Sequence, residues 1–216
     1  MINRLKNILK KRKLKRIANY RDIDGWLTDN EALGLYNIAR KLPKQSHSLE
    51  IGSWQGKSSY CISKGIKDGK LTVIDPFNAS GGFDIASEKE YQLKTKEKGE
   101  TTLLESFKYN MNNLGVLNKI IVKKGYSYDF DDEIGALDFL FIDGDHSVEG
   151  CKKDYELYSD KVKKGGFIAF HDFDESRLDL GPTYVVNNYV LKSSGFSFYG
   201  LYDSLWVGIR NKNIND

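Results

Sequence analysis

The sequence predicts an α/β domain built on an open, mostly parallel sheet, and three observations carry that reading. Seven short apolar runs alternate with segments of helical periodicity. Four of the runs stop at polar residues: Glu50-Ile51-Gly52, Asp75, Asp143-Gly144-Asp145-His146 and His171-Asp172. Ligands on open parallel sheets bind beyond the carboxyl ends of the strands, so acids that no core requires are expected to form a site there. The length of 216 residues, with 40% hydrophobic, suits one such core plus a short appendage.

The elements follow in order. Residues 1–19 read as a basic helix, with Ile2, Leu5 and Leu9 at helical spacing and Leu14 off that stripe. Thr28-Asp29-Asn30-Glu31 reads as a capping box opening a helix to about Leu42, closed by Pro43. Ser48–Ile51 is the first strand, and a helix from about Lys57 to Ile66 leads to a second strand, Leu71–Asp75. That is a βαβ unit. Residues 78–100, with Gly81-Gly82 and scattered charges, read as an inserted loop, and a loop of that length usually has a function. A helix from about Thr101 to Leu114 precedes the strand Lys119–Lys123. The strand Leu137–Ile142 is apolar apart from Asp138. Val148, Cys151, Tyr155 and Tyr158 mark the next helix, and Gly165-Gly166 turns into the strand Phe167–Phe170. A helix through Tyr184–Leu191 and strands near Phe196–Tyr199 and Leu205–Ile209 complete the chain, so that residues 22–216 form one domain.

Charge is distributed unevenly. Residues 1–21 hold nine Lys or Arg and no acid, whereas the remainder carries 24 basic and 30 acidic residues, a net of −6. A mildly acidic body argues against a specific nucleic-acid face. The tail alone suits an anionic membrane surface, with Ile2, Leu5, Ile8 and Leu9 entering the headgroup boundary; an unengaged solvated helix is the plainer alternative. No run approaches a membrane span, and the N-terminus is too charged for a secretory signal. Cys61 and Cys151 both fall on predicted helices and read as buried thiols of a cytoplasmic protein. Self-association stays open.

Glu50-Ile51-Gly52-Ser53-Trp54-Gln55-Gly56 is a strand, a glycine turn and the start of a helix, and Asp75 ends the following strand. Glycines at 52 and 56 would let a ligand approach the backbone, and an acid like Asp75 can accept both hydroxyls of a ribose. Gly52 to Ser58 imitates a phosphate-binding loop, but three residues separate its glycines where that motif needs four. A dinucleotide fingerprint fails because position 54 is Trp rather than Gly. A nucleotide hydrolase and a nicotinamide enzyme are therefore disfavoured.

Taken in order, Glu50–Ser58, Asp75-Pro76, Phe141–His146 and Gly165–Asp172 resemble the class I S-adenosylmethionine-dependent methyltransferases. More narrowly, they are similar to the branch with macrocin and other sugar O-methyltransferases and the cephalosporin-hydroxylase-like proteins. The resemblance spans roughly residues 25–210. It implies a Rossmann-like fold: a seven-stranded, mostly parallel sheet with helices on both faces and an antiparallel last strand. It also implies that Glu50, Gly52 and Gly56, with Ser53 in the same loop, surround the methionine part of the cofactor. Asp75 then holds the ribose and Ser127 sits at the adenine, though a plain loop serine is the alternative for Ser127. Asp143 is shared between the cofactor side and the reacting centre.

Methyl transfer from a sulfonium to a hydroxyl needs alignment and removal of a proton, by a base or by a divalent cation that lowers the hydroxyl pKa. Metal-dependent relatives imply Asp143, His171 and Asp172 as ligands. Histidine at 171 departs from an all-oxygen set, so the readings left open are no metal, Mg2+, or another divalent cation that accepts imidazole. His146 and His171 are the candidate bases. Three alternatives remain: Asp145-His146-Ser147 as a helix cap, His171 bonded to a neighbouring loop, and a non-haem iron site from His146, His171 and Asp172. His47 reads as an ordinary surface residue. The acceptor is expected to be a sugar, glycan or small-molecule hydroxyl; a non-catalytic cofactor-binding domain is the competing class.

Overall fold

A computed structural model describes residues 2–82, 85–96 and 102–211. Seven strands form one sheet: β1 (Ser46–Ile51), β2 (Gly69–Asp75), β3 (Ile120–Lys124), β4 (Leu137–Ile142), β5 (Val162–Phe170), β6 (Phe196–Tyr202) and β7 (Leu205–Arg210). Their order is β3-β2-β1-β4-β5-β7-β6. All pairings are parallel except those of β7, which runs antiparallel to both β5 and β6. The expected Rossmann-like sheet with an antiparallel last strand is present. The reversal of strand order at β1–β4 opens the crevice in which such sheets bind ligands.

The helices are α1 (Ile2–Arg16), α2 (Asp29–Ala39), α3 (Lys57–Gly65), α4 (Ile85–Lys96), α5 (Leu103–Asn113), α6 (Val148–Tyr158) and α7 (Gly181–Val185), the last continuing into a π turn at Val186–Val190. Alternate residues of the central strands face opposite cores, as a period of two requires. Phe139, Phe141, Phe167 and Ala169 pack with α2, α3 and α5, whereas Leu140, Ile142, Ile168 and Phe170 pack with α6 and α7. Asp138 interrupts the β4 run because its carboxylate accepts from the His47 amide at 2.9 Å and pairs with Lys163 Nζ at 3.0 Å. Cys61 and Cys151 are buried free thiols.

Four details differ from the sequence reading. The supposed loop 78–100 carries α4, while residues 83–84 and 97–100 of it lie outside the described set. Strand β5 begins at Val162 and passes through Gly165-Gly166 as a bulge, its register against β4 shifting between Leu137 and Phe139. His47 is a half-buried strand residue whose ring nitrogen lies 3.0 Å from Thr72 Oγ1. In α1 the buried anchor is Leu14, continued by Ile17 and Tyr20; Ile8 is exposed. The side chains of Ile2, Leu5 and Leu9 lie outside the described residues. Among the described residues no helix is long and apolar enough to cross a membrane.

Candidate active site

The β-ladder continues one residue past the strands and aligns their ends: Gly52 N donates to Ile74 O, Asp143 N to Ile51 O, and His171 N to Ile142 O. Beyond these ends lies a cavity of about 820 Å³, lined by Gly52, Ser53, Trp54, Asp75, Ser127, Asp143, His146, Asp154, His171 and Asp172 among others. That volume is within the range of cofactor sites.

The glycine turn is shaped by the protein more than by a ligand. Gly52 has φ +80°, and a Cβ there would stand 2.1 Å from Asp143 O. Gly56 has φ +93°, and a Cβ there would meet Met111 Cε at 2.6 Å. Both positions demand glycine because neighbouring chain already fills the space, and Gly56 does not line the cavity. Asp75 holds the turn in place. Its Oδ2 accepts from Ser53 N at 2.7 Å and Trp54 N at 3.0 Å, and its Oδ1 accepts from Phe77 N at 2.5 Å. A carboxylate offers about four acceptor sites, so Oδ1 still has capacity toward the cavity.

Glu50 is elsewhere than expected. It alternates with the inward-packed Leu49 and Ile51, so its side chain enters the α3 face with no exposure and does not line the cavity. Ser58 and Ser59 of α3 donate to its two oxygens at 2.5 Å each. Burial pushes its carboxyl up to about 8 despite those two hydroxyls, with the Asp143 and Asp75 charges adding to the rise.

The β4 and β5 ends converge. One ligand atom each from Asp143, His146 and Asp172 lies within 4.8 Å of the others. His146 Nε2 is 3.6 Å from Asp143 Oδ1 and 3.4 Å from Asp172 Oδ2. His171 Nδ1 is 3.1 Å from Asp143 Oδ1 and 3.4 Å from Asp172 Oδ2, and its Nε2 lies 3.5 Å from Glu31 Oε2. Thus the three-ligand group contains His146 rather than the expected His171, which instead links the carboxylates to Glu31. Among the described residues the buried Nε2 atoms of His146 and His171 have no hydrogen-bond partner. Burial favours neutral imidazoles, but the carboxylates win: Asp143 and Asp172 raise both histidines, His171 strongly. Conversely, burial alone would raise Asp172, and the two imidazoles bring it down to about 2.

The local chain explains the placement of His146. Asp145 Oδ1 accepts from Ser147 N, and Ser147 Oγ accepts from Gly150 N, so these two residues cap α6. The His146 backbone is pinned between Gly81 O and Gly181 N, which leaves its ring facing the acids. Asp172 adopts φ +56°, a left-handed conformation unusual for a side-chain-bearing residue and found at the site itself.

Three contributors were not expected from sequence. Glu31, 3% exposed, completes the predicted capping box by accepting from Thr28 N at 2.7 Å, and its other oxygen accepts from Ser204 N and Oγ. Burial would raise it; the His171 ring, Ser204 and Thr28 hold it at about 2. Asp154, on the buried face of α6, lines the cavity beside Ser127; burial raises it to about 7 although the Ser127 hydroxyl opposes that. Trp26, Trp54 and Tyr91 form an aromatic wall, their ring centroids 5.1 to 5.7 Å apart. Only the capping box gave Glu31 a signal, and nothing in it pointed to a residue 140 positions away.

Residues 49–173 match the family model described as a methyltransferase domain. An uncharacterized protein of Acanthamoeba polyphaga mimivirus is 31% identical over 150 residues, which cover 66% of this chain and 59% of that protein. The chain therefore spans less than two thirds of this relative's length. Among solved structures, the O-methyltransferase TomG of Streptomyces achromogenes, in complex with S-adenosylmethionine, superposes with a TM-score of 0.64 at 15% identity, covering 93% of this chain and 90% of that one. An O-methyltransferase of Bacillus cereus bound to S-adenosylhomocysteine gives 0.64 at 15%, covering 94% and 90%. A Corynebacterium glutamicum protein gives 0.63 at 15%, covering 94% and 92%. At such identities the solved structures establish a common fold.

Proposed function

Because the chain belongs to the methyltransferase-domain family and has the class I fold, we propose that it moves a methyl group from S-adenosylmethionine to a hydroxyl oxygen. The observation that carries this is the convergence of Asp143, His146, His171 and Asp172 in the same cavity as the Gly52–Trp54 turn and Asp75. In this reading the turn and Asp75 Oδ1 hold the cofactor, with Ser127 and Asp154 deeper in the same crevice. The acceptor enters past Trp26, Trp54 and Tyr91, whose faces suit a sugar or another ring bearing the hydroxyl. The transfer is an in-line displacement: the acceptor oxygen bonds to the methyl carbon as the carbon–sulfur bond breaks, leaving S-adenosylhomocysteine. The hydroxyl proton passes to the Asp143–His146–Asp172 group.

Two carboxylates and an imidazole nitrogen fit a divalent cation that accepts nitrogen better than they fit magnesium, which prefers oxygen. Asp143, His146 and Asp172 would hold it. When bound it would lower the hydroxyl pKa. We further assign the basic α1 to the cytoplasmic face of an anionic membrane. Its exposed Lys10, Lys11, Arg12, Lys13 and Lys15 support this, at about 1 kcal/mol per cation near such a surface.

Calorimetry with S-adenosylhomocysteine tests the cofactor assignment, and binding of ATP or a nicotinamide dinucleotide in its place would refute it. Turnover that chelator abolishes and manganese restores would establish the cation. Full turnover in chelator would exclude the cation and leave the proton to the side chains of the Asp143–His146–Asp172 group.

A further inference from the structure

A second cavity, of about 600 Å³, lies on the face formed by α1, the end of α2 and β6. It shares no lining residue with the site described above. Its lining includes five cations, Arg12, Lys13, Arg16, Arg40 and Lys41, with Tyr199 and Tyr202, and contains no acid. None of the five has a carboxylate partner in any ion pair among the described residues. Their contacts are with neutral groups: Lys13 Nζ donates to Asn37 Oδ1 at 3.0 Å, Arg40 Nη1 to the Tyr36 hydroxyl at 3.2 Å, and Lys41 Nζ to the Tyr199 hydroxyl.

This arrangement is unusual for a surface where acids are plentiful. The body of the protein carries more acidic than basic residues, yet none has been placed here. Basic residues in the last turn of a helix are ordinary, because they complement its free carbonyls. That accounts for Lys13 and Arg16, in the last turn of α1, and in part for Arg40 and Lys41, which follow directly on the last residue of α2. It does not account for two helices turning them into one groove, nor for Arg12. The groove's potential also acts on a neighbour. Burial alone would raise the Tyr36 phenol, but the Arg40 and Arg16 guanidiniums bring it below its ordinary value.

We propose that this groove binds a multiply charged phosphate group. Two arginines and a lysine from one helix, an arginine and a lysine from the end of another, and tyrosine hydroxyls from β6 supply forked and point donors to its oxygens. The phosphate belongs either to a soluble phosphorylated molecule or to a lipid headgroup, and both present the same oxygens. The assignment does not rest on the methyltransferase reading.

The test uses the full chain and a variant with R12Q, R16Q, R40Q and K41Q, which leaves residues 1–11 and the first cavity unchanged. Inorganic pyrophosphate at 1 mM should raise the thermal midpoint of the native chain by about 2 °C or more, an effect weakened by added sodium chloride. In the variant that rise should disappear, while an unchanged far-ultraviolet circular dichroism spectrum and a single cooperative unfolding transition show the variant folded. Sedimentation with phosphatidylglycerol–phosphatidylcholine vesicles, against phosphatidylcholine alone, identifies the source. Vesicle binding that pyrophosphate displaces and the variant lacks marks a headgroup; pyrophosphate binding without vesicle binding marks a soluble ligand. The proposal is overturned if neither probe binds, or if the variant binds both as well as the native chain does.

Discussion

Replacing Glu50 by Gln should stabilise the ligand-free protein in proportion to pH. The carboxyl is wholly buried on the α3 face and titrates near 8. In the unfolded chain it titrates at about 4.3. Between those values the folded state holds a proton that the unfolded state has released, so stability falls as pH rises through the window and is fully lost above it. At about 1.4 kcal/mol per unit, the difference reaches roughly 5 kcal/mol above pH 8 and about 1 kcal/mol at pH 5. Gln reproduces the protonated acid: its oxygen accepts from one serine hydroxyl, and its amide donates to the other, which rotates to receive it. It cannot ionise.

Urea unfolding of both proteins at pH 5, 7 and 8.5 measures the effect. The stability of the Gln variant relative to the native chain should increase by about 3–4 kcal/mol across that range. Parallel pH profiles would refute the placement of Glu50 as a carboxyl kept neutral by burial. So would a Gln variant that loses stability at pH 8.5.

Gly52→Ala should cost roughly 2–4 kcal/mol and abolish S-adenosylhomocysteine binding, since its Cβ would overlap Asp143 O; Gly135→Ala, with open space around it, should be near neutral by thermal unfolding. Asp75→Ala should weaken S-adenosylhomocysteine in calorimetry by about 1.5–3 kcal/mol, and Asp75→Asn should weaken it as well, because both carboxylate oxygens accept from backbone amides and an Asn NH2 cannot. Glu31→Gln should lower kcat about 10–100-fold with S-adenosylhomocysteine affinity unchanged, because it orients His171 from behind.

The sequence revealed the sheet well because its strands are apolar runs that stop abruptly. β4 coincides with the apolar run Leu137–Ile142, and the Thr28 capping box forms with the residues that predict it. The bulge in β5 was hidden because Gly165-Gly166 carries the same signature as a turn. The helix α4 was hidden because the segment holding it is charged and has no clear apolar stripe. At the site, the strand-end acids identified the crevice. What they could not reveal was the approach of elements distant in the chain: Glu31 behind His171, and Trp26 and Tyr91 beside Trp54. Such contacts are set by how the helices lie across the sheet.

The strand-end acids divide into two groups by what satisfies them. Glu50 and Asp75 are satisfied from within, by serine hydroxyls and by backbone amides of the glycine turn. Asp143 and Asp172 face the imidazoles of His146 and His171 at 3.1 to 3.6 Å, and among the described residues the Nε2 atoms of both rings have no hydrogen-bond partner. Buried polar groups are expensive to leave unpaired, so the His146 nitrogen that lies between two carboxylates without a hydrogen bond is where the proposed function expects a reactant or cation to complete the set. Pre-placed groups of that kind lower a barrier because they need no rearrangement when the reacting atoms are present. The first pair is bonded within the fold, whereas in the proposed function the second keeps its bonding capacity for the reaction. On that reading the four strand-end acids serve two ends, distinguished by the direction each side chain takes from its strand.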